Sequence, residues 1–186
     1  MCVLLLLSIN SKMMAIKRFV AFCCAVVVAL VPCGCIGEEP MDDENVVVVG
    51  SRLPDFEVVM NDGSTISGAQ LRTTPSVVMF FHTGCPDCQK AIPHVQTLYD
   101  KFSTQGVQFA IISRADSAES VAHYWDANAL TMPYSAQDDT RIYNLFARKR
   151  VPRIYISNSN GVIKSIFTDD PVPTYHELES ALEELL

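Results

Sequence analysis

Cys85-Pro86-Asp87-Cys88 lies between two segments of opposite pattern, and that placement constrains the fold more than anything else in the chain. Before it runs an unbroken apolar stretch, residues 77–81, which suits a strand buried on both faces. After it, across 88–102, Ile92, Val95, Leu98, Tyr99 and Phe102 recur at helical spacing on one side. The two cysteines therefore fall at a strand-to-helix junction. The unpaired amide N–H groups of a first helical turn, and the positive end of the helix dipole, favour a thiolate there. One turn of helix brings the second sulfur within disulfide reach. This chemistry makes Cys85 the exposed nucleophile and Cys88 the thiol that resolves a mixed disulfide. Pro86 suits the first turn, where its missing N–H is no loss. A zinc knuckle would want a second ligand pair; there is no second C-x-x-C, and His82 is the only nearby candidate ligand in sequence. A structural disulfide closing so short a loop would add little stability. The dithiol calls for no metal and no cofactor.

The remaining pattern predicts an α/β domain. Residues 53–60 alternate like a strand, Asn61-Asp62-Gly63 signals a turn, and 64–67 return, which predicts an N-terminal β-hairpin. Residues 107–113 predict a buried strand, 118–127 and 140–146 helices, 153–157 and 162–168 a strand pair about a turn at 158–161, and 175–186 a closing amphipathic helix. Strands alternating with helices imply a central sheet flanked by helices, and the late hairpin makes that sheet mixed.

Charge and cysteine usage divide the chain. The net charge is -7, and the 14 basic residues include only three before Cys35, so eleven face all 21 acids in the rest. A domain this acidic is repelled by nucleic acid. Five of the seven cysteines lie in the first 35 residues, leaving Cys85 and Cys88 as the only thiols beyond. Lys17-Arg18 precede an uncharged apolar run, 19–31, the length of a signal-peptide core and short for a membrane span. A start at Met13 or Met14 gives the tidier signal. The run ends in Leu30-Val31-Pro32-Cys33-Gly34-Cys35, which resembles a bacterial lipoprotein cleavage box with Cys35 as the lipidated residue and Pro32 where Leu is usual. The organisation expected is a signal peptide over 1–35, an acidic tether over 36–52, and the folded domain over 53–186. Lipidation at Cys35 implies an extracytoplasmic, membrane-anchored protein, facing the periplasm or the cell surface; an uncleaved anchor is the alternative.

Residues 80–93, Phe-Phe-His-Thr-Gly-Cys-Pro-Asp-Cys-Gln-Lys-Ala-Ile-Pro, resemble the active-site stretch of TlpA/ResA-like thiol-disulfide oxidoreductases of the thioredoxin superfamily. Pro93 matches the proline inside the thioredoxin helix, and Val151-Pro152-Arg153-Ile154-Tyr155-Ile156 resembles the cis-proline loop and its hairpin. The resemblance covers 53–186. It implies a thioredoxin fold with a βα insertion between Cys88 and Pro152. It also implies a cis Pro152 facing the cysteines, with Val151 offering backbone hydrogen bonds to an incoming peptide beside Pro86 and Asp87. The expected partners are a disulfide-containing protein substrate, an upstream membrane thiol donor and the lipid-anchored membrane.

The sequence departs from this family where protons are handled. Met79 stands where plain thioredoxins carry a buried Asp, and Ala91 where TlpA/ResA-like proteins often carry Glu; Gly84 replaces the usual Trp, and Arg153 a common Thr. His82 is a substitute proton carrier by pKa, or simply a partly buried loop histidine. Asp87, a carboxylate beside the thiols, disfavours a second negative charge and so argues for a reductase or isomerase over an oxidase. Arg148-Lys149-Arg150 would flank the site and steer acidic partners. Two other functions compete. A peroxidase of the sister peroxiredoxin (AhpC/TSA-like) type needs Thr three residues before its cysteine, where this chain has His82 and places Thr83 one residue off. A non-catalytic thioredoxin-fold lipoprotein is the other.

Overall fold

A computed structural model describes residues 44–186. The expected signal peptide, Cys35 and the first part of the tether lie outside the described residues. An N-terminal hairpin, β1 (Glu57–Val59) and β2 (Thr65–Ser67), leads into a short helix α1 (Gly68–Leu71). Then follow β3 (Ser76–Phe81), α2 (Pro86–Phe102), β4 (Gln108–Ser113), α3 (Ala118–Ala127), β5 (Arg153–Ser157), β6 (Ile163–Phe167) and α4 (Tyr175–Glu183). The sheet order is β4-β3-β5-β6, with β3 parallel to β4 and antiparallel to β5. This is the expected thioredoxin-type mixed sheet with an added hairpin.

Chemistry accounts for the central strand. Every side chain of β3, Ser-Val-Val-Met-Phe-Phe, is buried, as its unbroken apolar run requires of a strand covered on both faces. Phe80 packs edge-on against Tyr143 and Tyr155, and Phe81 packs at a tilt of 38° against Trp125 of α3. The Trp125 indole N–H donates to the Met132 carbonyl at 2.8 Å, so this core residue buries no unpaired donor. Helices α2 and α4 pack together and are bridged by Lys101, which reaches Glu179 and Glu183 at 2.7 and 2.8 Å.

The inserted segment between α3 and β5 is less regular than its pattern suggests. One parallel bridge, Ile112 to Ser135, stands for the strand, and the helix expected over 140–146 is one 3-10 turn, Tyr143–Leu145. Its apolar residues pack as a core plug, with Tyr143 and Phe146 buried against Phe80, so burial and not helical periodicity produced the pattern. Residues 44–52 lie on the domain. Asn45 bridges Ala147, Val46 and Val47 N–H donate to the Phe146 carbonyl, and Arg52 bridges Val162. Gly161 closes the β5–β6 turn at φ +71, where a Cβ would sit 2.1 Å from the Arg72 side chain, so both backbone and space call for glycine.

Candidate active site

The strand registers assemble the site. Because β3 and β4 run parallel with Phe81 opposite Ser113, the loops leaving them, 82–85 and 114–117, are neighbours. Because β5 runs back with Arg153 opposite Phe80, the residues before it, 150–152, arrive beside those same loops. Three loops thus converge at the carboxyl end of β3, where open α/β sheets place their ligands.

Cys85 is the N-cap of α2, with extended backbone (φ -90, ψ 117). Its Sγ accepts the Cys88 N–H at 3.3 Å and donates to the Val151 carbonyl at 3.3 Å. It is partly exposed, whereas Cys88 is fully buried. Burial pushes the Cys88 thiol far above the ordinary range, and its hydrogen bond with Cys85 adds to the rise; the His82 backbone N–H opposes both. Pro86 occupies the first turn, as expected. Asp87 forms an i,i+3 ion pair with Lys90 at 2.8 Å, which offsets the negative charge beside the thiols. The Val151–Pro152 bond is cis, as is Asp170–Pro171. All six expected residues of the domain, Cys85, Pro86, Asp87, Cys88, Val151 and Pro152, therefore lie in one place.

Several further residues hold the site. Asp116 is buried, and one of its oxygens, Oδ2, accepts the Thr83 N–H at 2.8 Å and the Thr83 hydroxyl at 2.6 Å. It follows Ala115, which sits at φ +51, and both residues are pinned by backbone bonds to Asp139 and Gln137 carbonyls. Gln89 Nε2 donates to the Thr83 carbonyl at 2.8 Å from the helix side. His82 Nδ1 accepts the Gly84 N–H at 2.9 Å and stands 3.8 Å from Asp116 Oδ2. On the other flank, Arg153 is a buried cation, only 1% exposed. It donates to the Lys149 carbonyl and to Asn45, and its guanidinium pairs with Glu44 at 3.5 Å. Tyr143 Oη lies 2.6 Å from both the Lys149 and Arg150 carbonyls. The backbone that offers the Val151 carbonyl to Cys85 is thus braced from below. Of the basic cluster, Arg150 pairs with Glu44 at 3.3 Å and leans toward Asp169 at 3.8 Å, while Arg148 and Lys149 are exposed.

Asp116, Asn45 and Glu44 were not legible as site residues. Asp116-Ser117 before a helix reads as a pair of capping residues, and Ser117 does cap α3 through Ser120 N. Glu44 and Asn45 read as tether. The usable signal was Arg153, a cation at the head of an apolar strand pattern, which requires a buried partner.

Comparison with known proteins accords with this geometry. Residues 49–166 match the AhpC/TSA family. The chain is 24% identical over 143 residues to a protein named thiol-disulfide oxidoreductase ResA from Geobacillus kaustophilus, covering 77% of this chain and 81% of that one. A protein of the same name from Bacillus cereus is 22% identical over 165 residues, covering 86% and 94%. Among solved structures, a thiol:disulfide interchange protein of the thioredoxin family from Chlorobium tepidum superposes with a TM-score of 0.64 at 18% identity, covering 75% of this chain and 98% of that one. That likeness carries the fold.

Proposed function

The chain belongs to the AhpC/TSA family, and from that premise we propose that it is an extracytoplasmic thiol-disulfide oxidoreductase that reduces protein disulfides through Cys85 and Cys88. The observation that carries the reading is the asymmetry of the pair: one partly exposed sulfur at a helix N-terminus and one buried behind it.

The Cys85 thiolate attacks a substrate S–S bond, forming a mixed disulfide and releasing one substrate thiolate, which takes up a proton. The Cys88 N–H, 3.3 Å from Cys85 Sγ, is placed to stabilise that thiolate. Cys88 then loses its proton and attacks Cys85 Sγ. The second substrate thiolate leaves, and the enzyme is left with a Cys85–Cys88 disulfide. Two electrons and two protons pass to the substrate; a dithiol donor upstream returns them. The Val151 carbonyl, held beside Pro152, is placed to accept a backbone N–H from the bound peptide. Burial holds Cys88 as a thiol in the reduced chain, so it must give up its proton before this second attack.

Residues 1–35 are proposed as the signal peptide, with Cys35 as the lipid anchor and the acidic stretch behind it as the tether. The support is the Lys17-Arg18 pair, the short apolar run and Gly34-Cys35. The peroxidase alternative is weaker. The residue three before Cys85 is His82, and the Thr83 hydroxyl donates a hydrogen bond to Asp116.

The test is the reduction potential of the pair, equilibrated against glutathione. A value near the thioredoxin end, about -270 mV, supports a reductase; one near -120 mV points to an oxidase. A pair that will not cycle returns the chain to the non-catalytic alternative.

A further inference from the structure

The loop that carries Cys85 has a second open side, away from Val151. There Thr83 and Gly84 meet Glu119, Ser120, His123 and Tyr124 of α3 around a cavity of about 440 Å³. Its walls are held in place before any ligand arrives. Thr83 is fixed by buried Asp116 behind it and by Gln89 beside it. The first turn of α3 is fixed by Ser117, whose hydroxyl oxygen accepts the Ser120 N–H at 3.1 Å. The wall next to the nucleophile is a glycine, and Gly84 is exposed. An added Cβ there would stand 3.3 Å from the His82 ring, which would have to give way to it.

Among the lining residues Glu119 is the one carboxylate, and the imidazole of His123 is the one basic group. Glu119 makes no ion pair among the described residues, and no Lys or Arg lines the walls. A second carboxylate, Asp116, stands behind Thr83. Tyr124 adds an aromatic side chain to the wall, and aromatic rings are a group that cations favour. On the other side of the site, the segment that leads to Val151 carries exposed Arg148 and Lys149.

We propose that this cavity is a specificity subsite for a basic side chain, Lys or Arg, adjacent to the reactive cysteine of the substrate polypeptide. The inference rests on the disulfide-reductase reading above. A peptide whose sulfur meets Cys85 has one neighbouring residue over Val151 and the other over Gly84. The side chain on the Gly84 side enters the cavity, where Glu119 attracts an ammonium or guanidinium and repels a carboxylate.

The test uses the reduced full-length chain and peptide disulfides that differ in one residue beside the cysteine, Lys, Gln or Glu, placed before it in one set and after it in another. In one of the two sets the Lys peptide is expected to be reduced about five- to tenfold faster than the Glu peptide in kcat/KM at low salt, the sum of one attraction and one repulsion at a partly exposed site. The preference should shrink at high salt, fall to within about twofold in Glu119→Gln, and reverse in Glu119→Lys. Equal rates for Lys and Glu peptides in both sets, or a preference that survives Glu119→Gln, overturns the subsite. Hydroxyethyl disulfide, small and uncharged, separates the two levels of failure. If the chain reduces it but shows no charge preference, only the subsite falls. If it reduces neither that compound nor any peptide, the reductase reading falls and the subsite with it.

Discussion

Replacing Asp116 with alanine removes the carboxylate that holds the loop carrying Cys85. Its Oδ2 accepts two hydrogen bonds from Thr83, at 2.8 and 2.6 Å, and the side chain is 5% exposed. A hydrogen bond to a charged group contributes about 1.5–3 kcal/mol. The two here share one oxygen and one residue, so their effects are not additive. Removing the carboxylate also relieves the cost of burying it. The expected net loss is about 2–3 kcal/mol, or roughly 6–10 °C in melting temperature for a domain of this size. Asp116→Asn keeps an oxygen for the Thr83 N–H and should lose only about 1 kcal/mol. The assay is thermal unfolding of the reduced chain in D116A, D116N, T83A and the D116A/T83A double variant. A coupling of about 1 kcal/mol or more between positions 83 and 116 is expected. The same panel, read for the rate of Cys85 alkylation, should show D116A slowed and D116N close to the parent, because the loop sets where Cys85 meets the Cys88 N–H. Single and double effects that add to within about 0.3–0.5 kcal/mol would refute the reasoning, since Thr83 would then not depend on Asp116.

Cys88→Ser should accumulate a mixed disulfide with substrate through Cys85, visible on non-reducing gels, while Cys85→Ser should trap nothing; a trap by Cys88 would reverse their assignment. Burial raises the Cys88 thiol, so the folded state favours its neutral form. That contribution is complete below the ordinary thiol value of about 8.5 and is lost as pH rises from there toward the raised value. The reduced chain should therefore melt progressively lower above about pH 8.5, and the Cys85–Cys88 oxidised chain, which has no Cys88 thiol to ionise, should show less of this fall. Glu44→Gln removes a carboxylate paired with Arg150 and with buried Arg153; a loss of about 2–4 kcal/mol is expected, measured by denaturant unfolding, and no loss would mean that Asn45 and the Lys149 carbonyl suffice.

Local chemistry made much of the molecule legible in the sequence. The all-apolar β3, the cysteine at the mouth of α2 and the period of α3 each follow from neighbours along the chain, and all three elements formed where their patterns lie. The same holds for the asymmetry of the cysteines, since a helix N-terminus exposes its cap and buries the residue one turn on. The helix expected over 140–146 failed because apolar spacing records burial, and that segment is buried as a plug around Tyr143 and Phe146 without forming helical turns. What the tertiary structure decided is which distant groups meet. Asp116 reaches Thr83 because β4 runs parallel to β3, and Val151 reaches Cys85 because β5 runs back beside it. Glu44 reaches Arg153 to neutralise it, and Asn45 to accept its hydrogen bond. Spacing along the chain determines what a residue can do within its own helix or strand. Strand register, set by how the buried faces fit together, determines which loops share an end of the sheet, and so which residues share a site.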